Sequence, residues 1–423
     1  MIVGGTVRVP GDKSITHRAL LLASLTRGTS HVGGALTSLD ARSSARVLRQ
    51  LGAEISPLRP RSVVVIRGRS RFQRPEGPLD CGNSGTTTRL LLGLLAAHPF
   101  AATLTGDGSL RRRPMRRVTV PLARMGARFE ERGGDGLPLT VRGGRLVPLR
   151  YELPVSSAQI KSALLLAGLA GEVVVEVREP HGRSRDHTER MLRAFGYDVG
   201  EEAGWIRFAP GGRLEPFELQ VPGDPSSAAF LIGAGALAER GELRVSRVGV
   251  NPTRIGFLAV LRRMGATVAV EDVAEHYGEP VGDLIVRPAR LQGTDVGAGE
   301  IAGLIDEIPL LAVVASRAEG VTVFREAGEL RVKESDRLSL IAENLRSVGC
   351  RAEVSGDDLH VEGREDPPRG PVRSAGDHRL AMAFAVLGTV PGARIRVDDM
   401  ACAAVSFPGF PDTLRSLAQG AAG

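Results

Sequence analysis

The sequence predicts an α/β protein of two similar domains. Each is built from three repeated α/β units whose buried, parallel helices are surrounded by mixed sheets. Three observations predict this. The stretch "VPGDKSITHRALLLASL" (9–25) is answered by "VPGDPSSAAFLIGAGAL" (221–237), and 212 residues, half of the 423-residue chain, separate the two Pro-Gly-Asp turns. A short pattern, leucine-x-x-apolar-small, recurs in steps of 69 to 84 residues: "LRQLG" ending at Gly52, "LARMG" at Gly126, "LRAFG" at Gly196, "LRRMG" at Gly265, "LRSVG" at Gly349 and "LRSLA" at Ala418. Apolar stretches keep the same rhythm.

Each unit opens on one of those stretches, in order "RALLLASL", "RLLLGLLA", "SALLLAGLA", "AAFLIGAGALA", "PLLAVVA" and "AMAFAVLG". A helix that is apolar all round must be buried on all sides. Glycine or proline follows, then a strand such as "EVVVEV", "ELRVSRV" or "TVFRE". The leucine-x-x-apolar-small pattern reads as the last turn of a second, half-exposed helix, closed by a small residue. A further strand follows it in most copies ("AEISPL", "ARFEER", "ATVAVE", "RAEVSG"). Three such units wrap sheet around three buried helices, and two wrapped cores account for the length.

Composition narrows the function. Hydrophobic residues are 42% and charged residues 24% of the chain, as in ordinary globular proteins. No apolar run reaches the roughly 18 residues a membrane span needs, and "MIVGGTVRVP" has no charged leader, so a cytoplasmic protein is expected. Cys81, Cys350 and Cys402 have no metal-like spacing and read as reduced thiols. Aromatics are only 4%, which argues against single-stranded nucleic acid as partner, and the net charge of +7 suits small anionic substrates. Of 55 basic residues only three are lysines, Lys13, Lys161 and Lys333. Where arginine has taken nearly every other basic position, a retained lysine marks a place where a compact, titratable ammonium does what a planar guanidinium cannot.

The starts of the buried helices are polar: "DKSITHR", "GNSGTTTR", "SSAQIK", "GDPSSA", "IDEIP" and "GDHR". Free N–H groups and the positive end of the helix dipole sit at such starts. Hydroxyls there serve as caps, but caps do not explain Lys13, Arg18, Arg89, Lys161 and Arg379. Equivalent repeats gather these ends on one side of each domain, and two facing domains would form a cleft suited to phosphate and carboxylate. "GDGSLRRRPM" (106–115) and "RVKESDRL" (331–338) add Arg113, Lys333, Glu334 and Arg337; one helical turn separates 333 from 337, so both cations are expected on one helix face. The fifth start brings Asp306 and Glu307 instead of a cation. A carboxylate among cations stays ionised and can accept a hydroxyl proton. No phosphate-binding lysine loop, dinucleotide glycine pattern, nucleophile elbow or metal-ligand spacing is present, and Asp357-Asp358 and Asp398-Asp399 read as turn residues.

These segments, eight in matching order over residues 9 to 410, resemble the 5-enolpyruvylshikimate-3-phosphate synthase family: "PGDKSITHRALLLASL", "GNSGTTTRLLLGLLA", "GDGSLRRRPM", "SSAQIKSALLLAGL", "SRDHTERML", "IDEIP", "RVKESDRL" and "GDHRLAMA". The resemblance implies an inside-out α/β barrel in each domain, 11–221 and 222–423, with residues 1–10 joining the second and the active site in the cleft between. It implies transfer of the enolpyruvyl group of phosphoenolpyruvate to the 5-hydroxyl of shikimate 3-phosphate through a tetrahedral intermediate, in aromatic amino acid biosynthesis. No metal or organic cofactor is implied; composition argues against a nucleic-acid or membrane partner, and a monomer is expected.

By position it implies shikimate 3-phosphate contacts at Lys13, Ser14, Arg18, Ser157, Ala158, Gln159, Asp306 and Lys333, with Arg185 a weaker candidate. Phosphoenolpyruvate contacts fall at Lys13, Gly85, Arg113, Gln159, Arg337 and Arg379. The catalytic set is Asp306, Glu334 and Lys13. One departure is Val405, which stands where some members carry a lysine. Two rivals remain. A sister enzyme acting on a UDP-amino sugar resembles a cysteine-bearing loop where this chain has "GDGSLRRRPM". A repeat-built RNA-end-binding protein is disfavoured by the scarce aromatics.

Overall fold

A computed structural model describes residues 2–131, 134–180 and 182–418. The chain divides into two compact units. The N-terminal unit is Gly11–Val221 with His276–Glu279, and the C-terminal unit is Met1–Pro10, Pro222–Glu275 and Pro280–Gly423. The resemblance assigned 222–423 wholly to one domain. The exception is the tip of the hairpin Thr267–Arg287, because Glu279 takes a 2.7 Å hydrogen bond with His187 and Gly278 O accepts from Arg190 Nη1 at 2.8 Å.

Each unit contains three buried helices. In the N-terminal unit they are Lys13–Ser24, Gly85–Leu95 and Ala158–Gly171; in the C-terminal unit they are Pro225–Ala236, Ile308–Ala315 and His378–Leu387. Their apolar side chains merge into one core per unit. Burying such side chains contributes about 1.5–3 kcal/mol each. The helices pack closely: a Cβ on Gly93 would lie 2.1 Å from Ala163 O, so only glycine fits there.

The outer helices are Leu39–Gln50, Arg116–Arg124, His187–Ala194, Gly256–Arg263, Arg337–Ser347 and Phe410–Ala418. The glycines closing the first five have positive φ, from +83° at Gly196 to +113° at Gly126. A side chain there would strain the backbone, which explains why the small residue recurs.

Five of the six repeats share one sheet pattern. The second shows it whole: Leu79–Asp80 precedes the buried helix and pairs in parallel with Ala101–Thr105, which is followed outward by Leu139–Arg142 and Arg128–Glu131 in antiparallel register. A strand, a helix and a parallel strand form a βαβ crossover. Two units exchange their first strand. Ile2–Val7 precedes the first buried helix but pairs with Arg240–Gly249 of the fourth unit, Ile2 opposite Arg240. Glu218–Gln220 precedes the fourth helix but pairs with Arg27–Gly33 of the first, Glu218 opposite His31.

The two Pro-Gly-Asp turns are the crossovers. A Cβ on Gly11 would lie 1.9 Å from Gly34 O, and one on Gly223 would lie 2.8 Å from the Val9 side chain, so both turns need glycine for close approach. The sixth sheet has two strands, Arg369–Val372 and Arg394–Val397, after which the chain turns into its last helix.

Candidate active site

In the N-terminal unit the three buried helices bring their starts together. Asp12 caps the first, its Oδ1 accepting from Ile15 N at 2.8 Å, and Ser84 caps the second through Thr87 N at 3.2 Å. Ser157 stands at the cap position of the third yet makes no cap bond. The hydroxyls of Ser14 and Ser157 have no hydrogen-bond partner among the described residues, so capping does not account for them. Ala158 and Gln159, half-buried, open the third helix. Gln159 Nε2 donates to Thr86 Oγ1 at 3.1 Å, and Arg89 donates to Gln159 Oε1 and, at 3.0 Å, to Pro114 O.

Lys13 pairs with Asp40 at 3.3 Å, with its side chain 16% exposed. Arg18 is buried: Nε donates to Thr188 Oγ1 at 2.7 Å, Nη2 to Ser162 Oγ at 2.7 Å and Nη1 to Ser14 O at 3.0 Å. Burial lowers its pKa to about 10, against the charges of Glu189, Asp12 and Glu279, with nearby Arg185 acting in the same direction as burial. A guanidinium remains charged at neutral pH even so. His17 sits beside these cations with Nδ1 on Ser44 Oγ at 2.7 Å; burial, then Lys13 and Arg18, push its pKa down to about 3. It is therefore neutral and adds no charge to the site. Arg113 is buried and donates to Asn83 Oδ1. A Cβ on Gly85 would lie 3.1 Å from Arg113 Nη1, so any side chain there would crowd that guanidinium.

In the C-terminal unit the centre is Arg337, 1% exposed. It donates from Nε to Asp377 Oδ2 at 2.8 Å, pairs with Asp306 Oδ1 at 3.2 Å through Nη1, and pairs with Glu334 through Nη2. Three carboxylates hold its charged form well above the ordinary arginine range, although burial opposes them. Arg379 lies on the other side of Asp306: Nη1 donates to its backbone carbonyl at 2.9 Å and Nη2 pairs with Oδ2 at 3.3 Å. The carboxylate of Asp306 thus lies between two guanidiniums and keeps 16% of its side-chain surface open. Asp377 caps the sixth buried helix through Arg379 N at 3.0 Å. Arg337 lowers the Asp377 pKa, overcoming burial, which alone would raise it. Glu307 is buried, accepts from Ser226 Oγ and lies 3.7 Å from Arg379.

Lys333 lies 3.9 Å from Glu329. Loss of water around the ammonium lowers its pKa, with Arg337 adding to that and Asp306 opposing it. The expected shared helix face is corrected. Lys333 ends a 3-10 turn, Ala327–Val332, and the next helix begins only at Arg337. Asp336 accepts from Ser339 N at 3.1 Å, and this cap fixes the helix start after residue 336, so Lys333 and Arg337 lie on different elements.

Within the N-terminal unit, then, Lys13, Ser14, Arg18, Gly85, Arg113, Ser157, Ala158 and Gln159 lie at or beside the gathered helix starts. Within the C-terminal unit Asp306, Glu334, Arg337 and Arg379 form one contiguous charged group, with Lys333 beside it. Val405 is half-buried in a 3-10 turn, Ala401–Val405. Asp398 and Asp399 are turn residues, bonding Ser374 N at 2.9 Å and Ala401 N at 2.8 Å. Sequence reasoning missed the groups that hold the cations. Asn83 and Asp377 stood in quoted motifs one or two residues from a helix start, which was the available signal; Asp40, the partner of Lys13, carried none. Among the described residues no helix is long and apolar enough to cross a membrane.

Comparison with known proteins identifies the family. The family described as EPSP synthase (3-phosphoshikimate 1-carboxyvinyltransferase) matches residues 2–414. The 3-phosphoshikimate 1-carboxyvinyltransferase of Desulfitobacterium hafniense is 46% identical over 420 residues, 99% of this chain and 96% of that one. That of Alkalilimnicola ehrlichii is 48% identical over 408 residues, 96% and 91% of the two chains. The solved EPSP synthase of Acinetobacter baumannii superimposes with a TM-score of 0.86 at 39% identity, covering 98% of this chain and 96% of that one. The enolpyruvyl transferase NikO of Streptomyces tendae, 19% identical over 98% of this chain and 95% of its own, shares the fold with a TM-score of 0.80. The chain belongs to the EPSP synthase family.

Proposed function

We propose that the protein transfers the enolpyruvyl group of phosphoenolpyruvate to the 5-hydroxyl of shikimate 3-phosphate and releases inorganic phosphate, a step of aromatic biosynthesis. The observation that carries this is a family match over nearly the whole chain together with two charged clusters of the required kinds. Both substrates are anions, and cations must hold them together against their mutual repulsion. Shikimate 3-phosphate is held by Lys13, Ser14, Arg18, Ser157, Ala158, Gln159, Asp306 and Lys333. Phosphoenolpyruvate is held by Lys13, Gly85, Arg113, Gln159, Arg337 and Arg379. Arg337 and Arg379 are seated in this structure on Asp306, which supports a role for all three at one reacting centre.

The chemistry is addition followed by elimination. The 5-hydroxyl oxygen adds to C2 of phosphoenolpyruvate, its proton passes to Asp306, and C3 gains a proton to become a methyl group. Phosphate then leaves C2 as C3 gives up a proton, which restores the double bond. Asp306 is the acceptor, Glu334 the second acid/base, and Lys13 steadies the charge that builds on the phosphate. General acid–base help of this kind is worth about 10²–10⁴-fold.

The test is phosphate release from the purified protein. Release is expected only when shikimate 3-phosphate and phosphoenolpyruvate are both present. Release with a UDP-amino sugar in place of shikimate 3-phosphate, and none with shikimate 3-phosphate itself, would overturn the proposal.

A further inference from the structure

Of the three lysines, Lys13 and Lys333 fall among the proposed substrate contacts, and Lys161 does not. It lies in the first turn of the third buried helix with its side chain 1% exposed. Its ammonium meets Glu179 Oε2 at 2.9 Å, Glu189 Oε1 at 2.8 Å and Ser184 O at 3.3 Å. An ammonium has three N–H donors, and three acceptors surround this one. Burial alone would lower its pKa, but Glu189 and Glu179 outweigh it and hold the value above the ordinary lysine range.

The three acceptors come from three different segments. Glu179 follows the strand Val175–Arg178, Ser184 lies in the connection that follows, and Glu189 is in the first turn of the outer helix His187–Ala194. Glu179 also accepts from Ser184 N at 3.1 Å and from the Ser184 hydroxyl. One buried charge therefore fastens a strand end, a connection and an outer helix to the helix that Ser157 and Gln159 begin. The connection carries Arg185. The outer helix carries Thr188, which donates to Ser162 Oγ at 2.7 Å and with it forms the seat of Arg18.

We propose that Lys161 is a positioning residue for shikimate 3-phosphate: its ammonium, hydrogen-bonded to Glu179 and Ser184 and ion-paired with Glu189, assembles Arg18, Arg185 and the Ser157–Gln159 helix start into one binding surface. This rests on the assignment of those groups to shikimate 3-phosphate made above. It also accounts for a lysine surviving in a chain that favours arginine. A guanidinium would bring five N–H donors and a longer planar head to a dry site with three acceptors, leaving donors unpaired.

The experiment measures kcat and both KM values for Lys161→Met, Lys161→Arg and Glu179→Gln, with Arg18→Lys as reference and circular dichroism to confirm folding. KM for shikimate 3-phosphate is expected to rise about tenfold or more, while kcat and KM for phosphoenolpyruvate stay within about threefold. A merely structural role would lower the active fraction or shift both KM values together, and either result would overturn the proposal. If Lys161→Met does not fold, Glu179→Gln, which keeps the side-chain shape, decides by the same thresholds. A raised KM in Arg18→Lys with none in the folded Lys161 and Glu179 variants refutes the role of Lys161 alone. An unchanged KM in Arg18→Lys removes the assignment on which it rests.

Discussion

At Pro10-Gly11-Asp12 and at Pro222-Gly223-Asp224 the chain makes the same backbone move, crossing into a buried helix whose start an aspartate caps. Asp12 accepts from Ile15 N at 2.8 Å, and Asp224 accepts from Ser226 N at 2.7 Å. The charges around the two turns run in opposite directions. After Asp12 comes Lys13 on the buried helix, reaching Asp40 on the outer helix. After Asp224 comes Pro225, and the cation arrives from the other side: Arg254, just before the outer helix, reaches Asp224 at 3.3 Å and Ser226 Oγ at 3.0 Å.

The inversion extends through each unit. In the N-terminal unit buried helices carry Lys13, Arg18 and Lys161, and outer helices supply their acceptors Asp40, Thr188 and Glu189. In the C-terminal unit Arg254, just before an outer helix, and Arg337, at the start of one, meet Asp224, Asp306 and Asp377 at the buried-helix starts, with Arg379 a buried-helix cation that also joins Asp306. A repeated backbone therefore does not dictate a repeated charge. One half places cations on its buried helices, and the other places carboxylates at its buried-helix starts.

The comparison predicts unequal costs when charges are removed. Arg337→Met leaves Asp306, Glu334 and the buried Asp377 without their shared partner and is expected to cost about 3–5 kcal/mol of stability. Lys13→Met, removing a partly exposed member of a pair, should cost no more than about 1 kcal/mol. Thermal or denaturant unfolding of the two variants gives both numbers, and equal losses would break the contrast. The smaller comparison is between the caps. Asp12→Ala should cost about 1 kcal/mol, the ordinary value of a cap. Asp224→Ala should cost about 2–3 kcal/mol, because it also strips a partner from buried Arg254. Matching losses would mean that Arg254 contributes nothing through that pair.

Much of this was legible in the sequence because it is local. The buried helices were visible as apolar stretches, and the helix ends as leucine patterns closed by glycines that now prove to have positive φ. The crossing of the first strand rested on family resemblance, since a strand as plain as Ile2–Val7 carries nothing that selects Arg240–Gly249 as its neighbour. The helix placed across Lys333 and Arg337 failed because Asp336 caps at that point, and spacing alone does not reveal where a cap interrupts a helix. The partners of Lys161 were invisible for a different reason. Glu179 and Glu189 lie 18 and 28 residues away along the chain, and only folding brings them to one ammonium. Asp306, by contrast, stands out as an acid at a helix start where four of the other five starts bring cations.

The central claim of the proposal is that cations of both units bind the substrates, while the carboxylate of Asp306 is the group that accepts the proton. Asp306→Ala tests it most directly, by titrating shikimate 3-phosphate and measuring kcat on the same preparation. Affinity within about tenfold of the parent and a kcat lower by about a thousandfold are expected. A kcat within tenfold of the parent, or an affinity lost as completely as the rate, would contradict the account.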